Sequence, residues 1–202
     1  VDLGLAAILF ISARGRLRYA RPAAGPSWTL VIPLSIVALG AWLYFPSSEY
    51  VMGGKDPGTY MNEGLQIAQG GSLAIHDPAL AELPAEFRPL FIPGAVDEIE
   101  RGLHEGLRFM GFFVTDASAG TVMGQFPHGF PAWIAIAYGL NGLSGARQAV
   151  GAWAILGLLA VYFAGARFAG RWAALAAALL LAVNVAEVWY ARYPNSEVMQ
   201  QA

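Results

Sequence analysis

The 202-residue chain contains no cysteine. That excludes a disulfide framework and any thiolate metal site, and it leaves the redox compartment open. Charge is scarce too. Asp, Glu, Lys and Arg make up 13% of the residues, against roughly 25% in soluble domains. The three histidines, His76, His104 and His128, have no HxxxH or HExxH spacing. Walker-type phosphate loops, GxGxxG turns and nucleophile elbows are missing as well. The basic residues are too sparse for a nucleic-acid footprint, so no nucleic-acid partner is expected.

What is present is mostly apolar: 56% hydrophobic residues and a mean hydropathy of +0.49. The composition reads as a membrane protein, mainly α-helical and multi-pass. The chain opens at Val1 and closes in "SEVMQQA", where a helix is starting, so a piece of a longer polytopic protein is expected. No charged n-region marks a signal peptide. "LGLAAILFI" (3–11) is shorter than the ~20 residues a span needs. Residues 1–26 therefore read as the end of a truncated helix followed by an Arg-rich cytoplasmic segment, carrying Arg14, Arg16, Arg18 and Arg21. Residues 27–45 read as an outward transmembrane helix, with Trp28 near one interface, Trp42 and Tyr44 near the other, and Pro33 as a tolerated kink.

Residues 46–127 are then extracytoplasmic and hold eleven of the fourteen acids. A loop of this length is usually functional. Pro57 to Gln69 reads as an amphipathic helix: Tyr60, Met61, Leu65 and Ala68 share the apolar face, while Asn62, Glu63, Gln66 and Gln69 are polar. Gly70 and Gly71 stop it. Proline-rich coil follows, and then 107–126 suggests two strands joined through "DASAG". Residues 128–145 read as a short or re-entrant apolar helix interrupted at Asn141 and Gly142. Residues 149–168 and 171–190 read as transmembrane helices, packed through Gly151, Gly157, Ala173, Ala174 and Ala177. The turn between them carries Arg167 and Arg171 and is placed in the cytoplasm. Residues 191–202 then begin a second outer loop on the same face as Asp56.

Each candidate residue has an ordinary reading. Asp56 followed by Pro57 is a favoured helix start. Glu197 sits well in a first helical turn, with Asn195 or Ser196 as cap. Arg192 at a helix end can snorkel or grip a phosphate. Trp189, Tyr190 and Tyr193 fit an interfacial belt. His128 abuts a membrane helix and can reach a lipid phosphate.

The order of these features carries more than any one of them. "KDPGTYMNEGLQIAQGGSL" after a first span, a long loop, "FPHGFPAW", "YFAGARFAGR" and "WYARYPNSE" together resemble the N-terminal portion of GT-C membrane glycosyltransferases. These include protein O-mannosyltransferases and lipid A aminoarabinose transferases. The resemblance covers about residues 27–202. It implies transfer of a sugar, with inversion, from a polyprenyl-phosphate donor to an extracytoplasmic lipid, glycan or protein acceptor. It also implies placement in the plasma (inner) membrane. Asp56 matches the family's catalytic acid, with Tyr60 one turn on, and Glu197 matches a second loop acid. Lys55, His128 and Arg192 are candidates for the phosphate. Asp56 is followed by Pro57 and Gly58 rather than by a second acid. A divalent cation (Mg or Mn) held by Asp56 and Glu197 would therefore require the two loops to converge.

Two other classes compete. A secondary transporter would use intramembrane polar groups such as Asn184 and Glu187. A non-catalytic membrane protein would bind a partner through its outer loop, at "FRPLFIPG" and the hairpin.

Overall fold

The computed structural model describes residues 30–48, 56–84, 86–87 and 111–202, and the backbone of 92–93 and 107–109. The Arg-rich segment, Trp28, Lys55, His104 and most of "FRPLFIPG" lie outside the described residues. Ile32–Ala202 is one compact unit, to which the account below is confined, and it is mainly helical.

The first described helix, α1 (Val31–Tyr44), holds Pro33 in its first turn, where the missing N–H has no helical partner to lose. α2 (Asp56–Gly70) follows. Gly71 ends it at φ +66°, with its N–H on the Ile67 carbonyl at 2.8 Å, the left-handed stop expected of glycine.

Between α2 and the next long helix lies more order than a single hairpin. β1 (Ala74–His76), a one-turn helix α3 (Pro78–Ala81), β2 (Ile92–Pro93), β3 (Leu107–Phe109), β4 (Phe112–Asp116) and β5 (Thr121–Gly124) succeed one another. The strands form one antiparallel sheet in the order β1-β5-β4-β3-β2. Of the two strands expected over 107–126, the first is itself two, β3 and β4, separated at Gly111 (φ +92°). The "DASAG" turn does join β4 to β5. Asp116 Oδ1 accepts the N–H of Ser118 and of Ala119, each at 2.9 Å, a side-chain substitute for ladder bonds at the turn. Phe112, Val114, Val122 and Leu80 bury the sheet's own small core.

α4 runs from Gly129 to Ala169, and its backbone leaves helical geometry at Asn141 and Gly142. It is a fold-back rather than a straight rod. A Cβ on Gly145 would lie 2.1 Å from the Ala137 carbonyl oxygen. The rings of Trp133 and Trp153 meet at 5.1 Å, whereas twenty residues of continuous helix would separate them by about 30 Å. The first arm, 129–140, is thus a short segment doubled against the start of the second arm, 143–169. The second arm starts before 149 and is about 40 Å long at 1.5 Å per residue. By length and composition α4 is apolar enough to cross a membrane, and among the described residues the bent pair Arg171–Ala182 and Val185–Ala191 passes the same test only if taken as one span.

Beyond Gly170 (φ +84°), α5 (Arg171–Ala182) returns along the second arm. Its buried stripe is Ala174, Ala178 and Ala182, while Ala173 and Ala177 are exposed. Helical period places residues four apart on one face. The expected single helix over 171–190 is broken: α6 (Val185–Ala191) departs from α5 by 65°. Asn184 causes the break. Its side chain accepts the N–H of Ala186 at 2.9 Å and of Glu187 at 3.3 Å, so it starts a new helix. A last short helix, α7, spans Glu197–Gln201.

The second arm also lies against α1. Gly40 meets Ile155, and Gly151 meets Phe45 and the Tyr44 carbonyl. Tyr44 is fully buried and donates to the Ala182 carbonyl at 3.2 Å, so it is a packing residue and not part of an interfacial belt. Trp42, at 73% exposure, does face outward.

Candidate functional site

α2 is the platform of the site. Asp56, Tyr60 and Glu63 sit at i, i+4 and i+7, which stacks them along one stripe. Asp56 lies inside the first helical turn and is exposed. Its negative charge there is favourable against the helix dipole.

Tyr60 is the centre of the arrangement and is 7% exposed. Its ring packs tilted against Phe126 at 5.0 Å and edge-on against Phe130 at 5.4 Å. Its hydroxyl shares a hydrogen bond with Ser196 Oγ at 3.0 Å. Ser196 occupies the N-cap position of α7 but makes no side-chain cap bond, so its hydroxyl serves Tyr60 instead. This contact joins the α2 segment to the chain's last described turn, 136 positions away. Burial raises the Tyr60 pKa. Ser196 opposes that shift, and the Glu197, Asp56 and Glu63 carboxylates add to it. The two candidate acids, Asp56 and Glu197, therefore act on one hydroxyl. Glu197 itself is exposed.

Glu63 is the residue the sequence reading placed wrongly. It was expected on the solvated face of α2, yet it is fully buried, whereas Ala68, expected on the apolar face, is exposed. The reason is a partner: His128 Nδ1 hydrogen-bonds Glu63 Oε1. The space comes from β5, where a Cβ on Gly124 would sit 2.2 Å from Glu63 Oε2. Oε2 itself has no hydrogen-bond partner among the described residues. Burial raises the Glu63 pKa, and the hydrogen bond and charge of His128 pull against it. An isolated buried carboxylate is costly, and the His128 ring is the partner that offsets that cost. The signal in the sequence was the i+7 spacing from Asp56. His128 was expected to point at a phosphate, but one of its ring nitrogens is already committed.

Arg192 is also more constrained than expected. Its Nε donates to the Leu43 carbonyl at 2.6 Å, at the C-terminal end of α1, where carbonyls lack helical partners. Its own carbonyl accepts from Ser48 N at 3.0 Å and Ser48 Oγ at 2.8 Å. Arg147 Nε donates to the Ser48 carbonyl at 2.9 Å. Two arginines thus fix the chain where it leaves α1 on its way to Asp56. Arg192 still borders a cavity of about 530 Å³ with Ser47, Val188, Trp189 and Tyr193.

Among the described residues, no three His, Asp or Glu side chains group closely enough to hold a metal ion. A hard cation takes six or more oxygens, and Asp56 with Glu197 does not approach that set. The chain matches no family model, no curated protein and no solved structure.

Proposed function

We propose that the chain carries the catalytic face of a polytopic membrane glycosyltransferase of the GT-C type, which takes its sugar from a polyprenyl-phosphate donor. One observation carries the reading. Tyr60 and Ser196 meet at 3.0 Å, so the segment after the first helix and the segment after the last long helix form one surface. The resemblance requires that convergence, and local sequence alone does not. The exposed apolar side chains Leu34, Trp42, Phe163, Phe168 and Leu180 give the helices a lipid-compatible exterior.

In this reading Asp56 accepts the proton of the acceptor hydroxyl or amine. The acceptor attacks the sugar carbon in line, the carbon–oxygen bond to the lipid phosphate breaks, and the configuration inverts. Tyr60 holds the two acidic segments together. Arg192, on the cavity wall, offers positive charge to the departing phosphate. Asn184 is occupied as a helix cap, which removes one of the polar groups a transporter reading would need.

Asp56→Asn tests the proposal. Asparagine and aspartate serve helix starts about equally well, so the fold is expected to persist in detergent size exclusion. Mass spectrometry of the host's envelope glycans and lipid-linked sugars is expected to show one glycan lost and its donor accumulated. An unchanged profile with a folded variant refutes the assignment.

A further inference from the structure

The buried Glu63–His128 couple has no part in the mechanism above. Its geometry is nonetheless that of a proton-handling unit. Glu63 is 0% exposed and His128 32% exposed, so the carboxylate lies behind the ring and the ring reaches the surface. The carboxylate contacts Nδ1, and in an imidazole the bond made by one nitrogen sets what the other presents. Nε2 is therefore the working atom. Among the described residues, the groups facing the carboxylate include Tyr60 from its own helix, the Gly124 backbone from β5 and His128 from the start of α4. Asp56, by contrast, is exposed. Asp56, the proposed base, and Glu63, the partner of the His128 ring, thus sit on one helix, α2.

Resting on the transferase reading, we infer that His128, positioned by the buried Glu63 carboxylate, is the general acid that protonates the departing lipid phosphate. The balance is explicit. The sugar C–O bond breaks with its electron pair on the phosphate oxygen. The Nε2–H bond of the imidazolium breaks, and that proton forms the new O–H. The acceptor's proton goes to Asp56. Solvent then carries one proton from Asp56 back to His128. Glu63 acts through the ring and is a positioning residue.

Two measurements on the complete protein decide this. The first needs no substrate. ¹⁵N-histidine spectra of the detergent-purified chain, assigned with His128→Gln, are expected to place the neutral-ring proton of His128 on Nδ1. Glu63→Gln is expected to remove that fixed preference. A His128 ring carrying its proton on Nε2 overturns the inference. The second is the rate of transfer in right-side-out host membrane vesicles carrying their endogenous lipid-linked donor, from pH 5 to 9. Loss of the acid's proton sets an alkaline limb. Glu63→Gln is expected to lower kcat with KM unchanged, because the ring loses the partner that orients it. His128→Gln, with folding checked by detergent size exclusion, is expected to cost about 10²-fold in kcat and to abolish the limb. A wild-type rate in Glu63→Gln, or in His128→Gln, overturns the inference. If Asp56→Asn leaves the glycans unchanged, the transferase reading fails and the general-acid role falls with it. The spectra then still report, separately, whether Glu63 orients the ring.

Discussion

Gly124→Ala tests how the buried carboxylate is accommodated. The added Cβ would lie 2.2 Å from Glu63 Oε2, 2.4 Å from Cδ and 2.9 Å from Oε1. All three are closer than non-bonded atoms allow, so Glu63 must move off His128 or β5 must move off α2. Overpacking costs about 1–3 kcal/mol, and losing a hydrogen bond to a charged group costs about 1.5–3 kcal/mol. The substitution should therefore destabilise by about 2.5–6 kcal/mol. The control is the same change in a Glu63→Ala background. Removing the carboxylate empties the space, and Gly124→Ala should then cost close to nothing. Thermal unfolding of the four detergent-purified proteins gives the cycle and its coupling energy. Equal penalties in both backgrounds would refute the reasoning, because Gly124 would then be required for something other than room for Glu63.

Further outcomes follow from the same contacts. Tyr60→Phe removes the hydroxyl that meets Ser196 and should cost about 1 kcal/mol; hydrogen exchange over 195–201 should rise, while exchange in the β-sheet should not. The raised Glu63 pKa means that the folded state holds this proton more tightly than the unfolded chain. Its stabilising contribution is complete below the ordinary carboxylate range and is lost as pH rises through the folded value. Melting temperature should accordingly fall over that rise in the native protein and fall less in Glu63→Gln. Arg147→Ala frees the Ser48 carbonyl and should speed limited proteolysis near residues 47–48, with the sheet unaffected.

Much of the architecture was legible because it rests on local chemistry. Gly71 as a helix stop, the "DASAG" turn and the break at Asn141–Gly142 each follow from a backbone preference carried by one or two residues. The bend at Asn184 has the same kind of cause, but an unbroken apolar pattern over 171–190 concealed it. The five-stranded sheet was less legible, since strands of two or three residues carry almost no periodic signal. In the site, the stripe of Asp56 and Tyr60 could be read directly, because helical spacing fixes it. Glu63 could not. A glutamate among Asn62 and Gln66 reads as solvated, and only a histidine 65 positions away, together with a glycine on β5, makes its burial tolerable. Arg192 was read as a phosphate ligand because its carbonyl partner, Leu43, is equally remote in sequence.

The account's central claim is that the segment after α1 and the segment before α7 form one surface at Tyr60 and Ser196. These 202 residues contain no cysteine, so in a cysteine-free background of the complete protein Tyr60→Cys and Ser196→Cys together create one thiol pair, and treatment of intact host membranes with a short bis-maleimide reads their proximity. The account predicts an intramolecular cross-link, detected as a joined peptide pair after proteolysis and mass spectrometry. If each single-cysteine variant is labelled by a mono-maleimide but the double variant gives no cross-link, the two segments do not meet, and the site described here does not exist.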